Sequence, residues 1–408
     1  GDGAQYSAYY YDGSTLKTIW GGDNTLFSEM HNAGASIGLA YAYATQHAGF
    51  IPNRHEGKLT GLAAFGKPVA KDEILSHFKI TSDGKITSTL AGKEGLERKL
   101  AATFQGLTRE DVSASIQVAT EELVVSWVEK LVSLNPTRYI SMSGGVFSNV
   151  RLNQKIAEIN AVEEVFVFPA MGDEGLPVGN CVNYLIEKLG IANLERHYLQ
   201  HAFFGYPYTG SDLTAKAEAL NFNVQYSEQP AEEAADLLAK GQAGAIFHGA
   251  MEMGPRALGA RSILASPAKR EVNDSINKRL QRTEFMPFAP FVLPEDANEV
   301  FDIDERNAYA CRFMTITTDV KEKWRDQIPA VVHVDGTARP QIIERDDNWL
   351  YHDTLKAFKK ITGLPCLVNT SFNAHEEPII NTPDEALTAL RDDRVDFLVC
   401  DKGLIFQN

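Results

Sequence analysis

The sequence predicts an α/β protein built from two domains, one over residues 1–195 and one over 205–408. Three observations carry that expectation. Two strand–loop–helix units follow one another directly, at 138–159 and 162–189, and a strand feeding a helix twice in succession marks a layered α/β arrangement. Beyond a linker at about 190–205, helices and strands alternate again. The 408 residues are 44% hydrophobic, enough to bury more than one core.

The elements follow in order. Residues 5–20 read as a hairpin, an alternating aromatic strand turning at Asp12-Gly13 into Leu16–Trp20. Residues 33–48 are rich in Ala and Leu and predict a helix. A polar helical insertion is expected over about 70–110, then a long amphipathic helix from Val112 to Leu134, its apolar residues returning every three or four positions. Arg138–Gly145 forms a strand and turn entering a helix at Val146–Ile159. Val162–Ala170 leads through the loop Met171–Gly175 into a helix at Leu176–Leu189. The second domain predicts a helix at Ser211–Leu220, a strand at Asn223–Tyr226, a helix at Ala231–Lys240 and a strand at Ala243–Phe247. It closes with a strand at Cys366–Asn369, a helix at Pro383–Arg391 and a strand at Asp396–Cys400. The chain opens Gly1-Asp2-Gly3 without Met and enters a strand at once, as the middle of a sheet does. The expectation is a fragment whose upstream strands are missing.

Composition narrows the function. With 39 Lys and Arg against 54 Asp and Glu, the formal charge is −15, which argues against a broad nucleic-acid footprint and leaves room for a local basic pocket. No apolar run approaches a membrane span, and the first residues lack a signal-peptide pattern. Cys181, Cys311, Cys366 and Cys400 are scattered without C-x-x-C spacing and read as buried thiols in a reducing, cytoplasmic setting.

Several constellations bear chemistry. The run HGAMEMGPRALGARSIL, from His248 to Leu264, sets Arg256 and Arg261 five apart among Gly254, Pro255 and Gly259. Guanidinium forks fit phosphate or carboxylate oxygens, and glycines admit a ligand close to the main chain. In so acidic a chain the same arginines could instead pair with neighbouring carboxylates. Gly144 and Gly145 sit where a strand becomes a helix, a place for a phosphate oxygen or simply for tight packing. Asp173, at the end of the next strand, reads either as a metal ligand beside a nucleotide or as a helix N-cap. Arg339 follows a turn at Asp335-Gly336, and Asn369-Thr-Ser371-Phe-Asn373 follows a strand; both loops suit a small anion or merely close turns. Thr382-Pro-Asp-Glu385 is a capping box and structural. His197 and His201 share zinc-like spacing, yet no third ligand is near and the segment reads as linker.

Taken together these residues resemble the NodU/CmcH family of O-carbamoyltransferases, over nearly the whole chain. The resemblance rests on EGKLTGLAAFG (56–66), SGGVFSNVRLN (143–153), MGDEGLPVG (171–179), MGPRALGARSILA (253–265), EFMPFAP (284–290), HVDGTAR (333–339) and NTSFN (369–373). It implies a partial actin/hexokinase-type (ASKHA) domain followed by a YrdC-like α/β domain. The second would use carbamoyl phosphate and ATP to make carbamoyl-adenylate. The first would pass the carbamoyl group to a hydroxyl of a sugar or natural product. Carried over by motif, Arg256, Arg261, Arg339 and Ser371 would hold carbamoyl phosphate or its adenylate. Gly144, Gly145 and Asn149 would line the nucleotide site, and Asp173 would bind a divalent metal, iron or magnesium.

The family pattern also places a His-x-x-x-His pair and a D-G-x-G-D/E turn ahead of this sequence, which leaves Asp2 a weak ligand. A sugar-kinase-like phosphotransferase would explain Gly144, Gly145 and Asp173 but leave the second domain without a role. A non-catalytic nucleotide-binding relative is the third reading, opposed by the retained arginines. The acceptor and the choice between monomer and homo-oligomer stay open.

Overall fold

The structure, a computed structural model, describes residues 6–21, 35–90, 92–195, 198–282 and 286–408. It divides into two compact units, Gly1–Tyr198 and Leu199–Asn408. Asp2, His197 and the first two residues of the 284–290 motif lie outside the described residues.

In the first unit, β1 (Ala8–Tyr11) and β2 (Leu16–Trp20) pair antiparallel. The Asp12 carboxylate closes their turn by accepting from the N–H groups of Ser14 at 3.0 Å and Thr15 at 2.8 Å. Helices α1 (Ile37–His47) and α2 (Glu56–Leu62) follow. The insertion expected to be helical is in fact interrupted: α3 (Lys71–Ser76), a hairpin of β3 (Phe78–Ile80) and β4 (Ile86–Ser88), then α4 (Gly92–Thr103). Short β-branched runs around Asp83-Gly84 favour that hairpin. Trp127 fastens it by donating Nε1–H to the Gly84 carbonyl at 2.8 Å. α5 (Arg109–Leu134) begins at its N-cap Thr108, whose hydroxyl accepts from Asp111, and buries Val112, Ile116, Ala119, Leu123 and Trp127.

β5 (Tyr139–Met142) and β6 (Glu164–Val167) run parallel, Tyr139 opposite Glu164 and Met142 opposite Val167. A 3₁₀ turn at Gly145–Ser148 separates β5 from α6 (Val150–Ala157), so the helix expected from Val146 starts later. α7 (Leu176–Leu189) follows β6 and has no buried residue. Its Cys181 is therefore exposed, against the expectation of four buried thiols; Cys311, Cys366 and Cys400 are buried.

The second unit is built on a mixed sheet, the large sheet of a mixed α/β fold. Its strands are β7 (Asn223–Tyr226), β8 (Gly244–Phe247), β9 (Arg261–Ala265), β10 (Ala289–Val292), β13 (Gln341–Ile342), β14 (Cys366–Ser371), β15 (Phe397–Cys400) and β16 (Gly403–Phe406). A separate short pair, β11 (Thr318–Asp319) and β12 (Thr337–Ala338), stands beside it. Among the described residues the order is β13-β10-β14-β9-β8-β15-β16-β7, with only β10–β13 and β8–β15 parallel. Helices α8 (Gly210–Ala219), α9 (Pro230–Ala239), α10 (Glu271–Arg279), α11 (Trp349–Thr362) and α12 (Pro383–Arg391) flank the strands. α9 contributes Ala234, Ala235 and Leu238 to a core that α11 completes with Leu350, Tyr351, Leu355 and Phe358, over Ile246, Leu264, Phe291, Leu367 and Phe397 of the sheet. Tyr351 stacks on Phe291 with centroids 3.7 Å apart. Each such large side chain stabilises the unit by roughly 1.5–3 kcal/mol of burial.

The register brings three strand ends together. Arg261, which opens β9, lies opposite Phe247 at the end of β8, and Ser262 lies opposite Ser371 at the end of β14. One residue beyond Asn381, whose carbonyl accepts from Arg261 Nε at 3.4 Å, the capping box forms as the sequence predicts. Thr382 accepts from the Glu385 N–H, and Glu385 accepts from the Thr382 N–H at 2.8 Å. Thr382→Ala should lower the unfolding free energy by about 1 kcal/mol, read as a lower urea midpoint with an unchanged slope.

Candidate functional site

In the first unit the parallel pairing of β5 and β6 sends both following loops out at one edge. They are tied there: Gly144 donates its N–H to the Met171 carbonyl at 2.6 Å, and the Phe168 N–H reaches the Met142 carbonyl at 3.1 Å. Gly144 holds φ at +113°, a conformation open to glycine, and a Cβ on Gly144 or Gly145 would meet nothing within 4 Å. The front of this turn is open space. Asn149 is differently engaged. It caps α6 by accepting from Leu152 N–H at 3.1 Å, and its amide pairs reciprocally with Gln117 at 2.8 and 3.1 Å. Tyr41 donates to that same Gln117 oxygen at 2.7 Å, so Asn149 belongs to a buried polar network joining α1, α5 and α6.

Asp173 is exposed and opens a 3₁₀ turn, and the N-cap of α7 is Gly175, so Asp173 does not cap that helix. As a metal ligand it would act through one carboxylate. No group of three His, Cys, Asp or Glu among the described residues could hold a metal ion, so the residues present do not complete such a site.

The second unit concentrates its polar chemistry where β8, β9 and β14 converge. Between β8 and β9 the loop from Met251 to Ala260 carries no regular secondary structure beyond one bridge, at Glu252 to Phe203. Its main-chain groups are met by buried side chains. The Glu252 carboxylate, 5% exposed, accepts through Oε1 from Leu258 at 2.9 Å, Ala260 at 2.6 Å and Arg261 at 3.1 Å. The carbonyls are taken in turn: Asn369 donates to Ala257 at 2.9 Å, Gln341 to Leu258 at 2.6 Å and Asn348 to Gly259 at 3.0 Å. Gly259 sits at φ +120° with Tyr351 Cδ1 only 2.5 Å from where a Cβ would stand. Any other residue there would collide with the core.

Within that frame Arg261 is fully buried. Its guanidinium lies 3.7 Å from the Phe247 ring centroid and donates through Nη1 to the Ala260 carbonyl at 2.9 Å. Nη2 is buried with no hydrogen-bond partner, and Arg261 has no ion pair among the described residues. Burial lowers its pKa to about 10, against a smaller opposing pull from Glu252, so it remains cationic at neutral pH. Burial also pushes the neighbouring His248 below its ordinary value.

Ser371 is half-buried at the end of β14, and Phe372 donates its N–H to the Arg261 carbonyl at 3.1 Å. The structure thus brings the main chains at Arg261 and Phe372 together, with Ser262 rather than Arg261 opposite Ser371. Arg256 is half-buried on the same loop as Glu252. Arg339 is half-buried two residues before Gln341, the residue that grips Leu258. Asp335 in the preceding turn accepts from Thr337 Oγ1 at 2.7 Å and from its N–H at 3.0 Å.

Two sequence models match this chain: one described as Carbamoyltransferase N-terminus over residues 8–182, the other as Carbamoyltransferase C-terminus over 235–407. Nodulation protein NolO of Bradyrhizobium diazoefficiens is 33% identical over 400 residues, 94% of this chain and 72% of its own. The chain belongs to the carbamoyltransferase family. This carbamoyltransferase-family chain is also similar to nodulation protein NolNO of Sinorhizobium fredii, 34% identical over 91% of the chain and 55% of that protein. An uncharacterised protein of Methanocaldococcus jannaschii, MJ1058, is 35% identical over 91% of the chain and 62% of its own length. The chain therefore spans less than two thirds of these two relatives. Among solved structures, HypF of T. kodakarensis covers 43% of the chain and 21% of its own at 21% identity and a TM-score of 0.32, too slight a match to bear on the fold.

Sequence reasoning missed Glu252, although an acid inside a Gly- and Arg-rich loop was a readable signal. Glu252→Ala removes the acceptor of three main-chain N–H groups. It should destabilise the chain by about 3 kcal/mol or more, while Glu232→Ala on the exposed face of α9 should change stability by less than about 0.5 kcal/mol, both read by urea unfolding.

Proposed function

We propose that this chain is the carbamoyl-activating part, with a portion of the transfer part, of an O-carbamoyltransferase that uses carbamoyl phosphate and ATP. In this reading the second unit is YrdC-like and forms carbamoyl-adenylate. The first unit is part of an actin/hexokinase-type domain, and it hands the carbamoyl group to a hydroxyl of a small-molecule acceptor such as a sugar. The observation that carries the reading is the buried Arg261 guanidinium with its unpartnered Nη2, at the end of a loop fixed from both sides. An unmatched buried charged donor costs more than the 1–3 kcal/mol of a neutral one. Its persistence is accounted for by an anion that enters this corner.

Arg256 and Arg339 would meet the outer oxygens of carbamoyl phosphate or the adenylate, and Ser371 would donate its hydroxyl. Two polyanions repel until cations neutralise them, and a loop fixed before they arrive adds no reorganisation cost. In the first unit the open turn at Gly144 and Gly145 would suit a nucleotide phosphate, with Asn149 supporting the turn, and Asp173 would supply one carboxylate to a divalent metal that needs further ligands. A sugar-kinase-like activity would use that turn but give the arginine corner no work.

Pyrophosphate release from ATP by the purified chain, without acceptor, should require carbamoyl phosphate. Arg256→Ala and Arg261→Ala should each reduce that release by about 100-fold or more, the loss of a charge-assisted contact to a developing anion. Full release in Arg256→Ala, or release indifferent to carbamoyl phosphate, would remove the basis of the reading.

A further inference from the structure

The first residues of the second unit, 199–205, form a strap along residues 251–253, where the arginine-bearing loop begins. Met253 donates its N–H to the Ala202 carbonyl at 2.7 Å, and Gly205 donates to the Met251 carbonyl at 2.9 Å. Between them Phe203 and Glu252 form an antiparallel bridge. The two backbones lie so close that a Cβ on Gly205 would stand 2.8 Å from Met251 Cβ. Glu252, whose carboxylate holds Leu258, Ala260 and Arg261, thus takes its main-chain position from the strap. The far end of the loop is held by Asn348, the N-cap of α11, through the Gly259 carbonyl.

Arg312 joins these two supports. It is the C-cap of a short helix, Ala308–Cys311. Nη2 donates both to the Gln200 carbonyl at 2.8 Å and to Asp347 Oδ2 at 2.7 Å, and Nε donates again to Gln200 at 3.2 Å. Gln200 stands two residues before Ala202, and Asp347 stands immediately before Asn348. A planar fork of donors can hold two such acceptors at fixed angles, which a lysine ammonium cannot. Tyr309 secures the same end of the strap: its hydroxyl accepts from the Leu199 N–H at 2.9 Å and donates to the Leu199 carbonyl at 3.2 Å.

The clamp is shielded from water. The Asp347 side chain is 10% exposed and that of Arg312 is 21% exposed. Burial raises the Asp347 pKa above the ordinary carboxylate value, and Arg312 supplies the largest opposing pull. A charge-assisted bond sheltered in this way is short, directional and little screened by salt. Among the described residues none of the Arg312 hydrogen bonds reaches the loop itself. We propose that Arg312 is a positioning residue for the arginine-bearing loop. By joining the Gln200 carbonyl to Asp347, it ties the strap beside Glu252 to the N-cap that holds Gly259, and so sets where the main chain of Arg256 and Arg261 stands. The inference rests on the reading of the second unit as a carbamoyl-phosphate site and names what aligns its cations.

The test uses the whole chain, with inorganic phosphate as probe. Titration calorimetry reads affinity and stoichiometry, and amide hydrogen exchange without ligand reads local opening. Arg312→Ala should weaken phosphate binding by about 10-fold at unchanged stoichiometry. A variant that is merely unfolded in part would lose binding sites and keep its affinity. The amides of Leu258, Ala260 and Arg261 should exchange about 10-fold faster, and those of α12 at the wild-type rate. In turnover, KM for carbamoyl phosphate should rise more than kcat falls. Arg312→Lys keeps the charge beside Asp347 without the fork and should recover only part of the affinity. Arg306→Ala removes a surface cation paired with Asp304 and should leave affinity and exchange unchanged. If Arg312→Ala does not fold, Tyr309→Phe keeps the ring, frees Leu199, and should move affinity and exchange the same way by about 3-fold.

Wild-type phosphate affinity, or wild-type exchange at the three loop amides, in a folded Arg312→Ala overturns the inference. The same result in Tyr309→Phe overturns it where Arg312→Ala does not fold. An equal loss in Arg306→Ala also overturns it, since the effect would then be one of charge alone. Faster exchange at the loop in a chain that neither binds phosphate nor releases pyrophosphate keeps the positioning role and removes the proposed reaction. Carbamoyl-phosphate-dependent release that is indifferent to Arg312 does the reverse.

Discussion

One carboxylate oxygen of Glu252 carries the geometry of the second unit's polar corner. The loop between two central strands, β8 ending at Phe247 and β9 opening at Arg261, exposes main-chain donors and acceptors that must be paired wherever water is excluded. Oε1 of Glu252 serves Leu258, Ala260 and Arg261 from the donor side, and Asn369, Gln341 and Asn348 serve three consecutive carbonyls from the other. Glu252 belongs to the loop itself, and the three carbonyl partners come from β13, the N-cap of α11 and β14. Pulling any of these elements away would leave buried main-chain groups unpaired, so the loop, the helix and the strands hold one another. The main chain that carries Arg256 and Arg261 is thereby held from both sides by the protein's own groups.

A chain of formal charge −15 encloses a guanidinium at its centre, and the two facts belong to different scales. Net charge governs the far field, whereas the corner at Arg261 is governed by what lies within a few ångströms. There the guanidinium lies against the Phe247 ring and main-chain carbonyls, partners that steady a cation without neutralising it. Elsewhere cations pair with carboxylates at or near the surface, as Lys321 does with Asp302 and Arg345 with Asp353. Such exposed pairs contribute about 0–1 kcal/mol. A buried cation without a direct ion pair is a poor way to stabilise a fold, since an apolar residue of similar volume would do it better. Its value lies in what it can receive.

Periodicity and turn chemistry made the scaffold legible. The long helix ending at Leu134, the strand of Asn223–Tyr226 and the box at Thr382 and Glu385 are local matters, decided by residues within one or two turns of each other. What stayed hidden depends on contacts between distant segments. The β3–β4 hairpin lay inside a polar stretch whose composition favours a helix, and Trp127 reaches across to hold it open as a hairpin. Arg282 meets Thr370 and Ser371 nearly ninety positions away, and no spacing rule joins them. The antiparallel majority of the large sheet was equally hidden, because a buried strand reads as the same apolar run in either direction.

Asn149 and Gly144 spend much of their hydrogen-bonding capacity inside the fold. The Asn149 amide oxygen already accepts from Leu152 and Gln117, and its nitrogen donates to Gln117. The Gly144 N–H is likewise spent on Met171. What the turn offers a phosphate is thus less than a Gly-Gly pair at a helix start suggests, and lies in the open space before Gly144 and Gly145 more than in the side chain behind them. The second unit differs in kind. Its donors at Arg261 and Ser371 retain capacity after every internal bond is made, because the main chain around them is satisfied by Glu252, Gln341, Asn348 and Asn369 instead. Where a fold meets its own polar needs with dedicated side chains, the cations beside them keep donor capacity, as Arg261 does at the meeting of β8, β9 and β14.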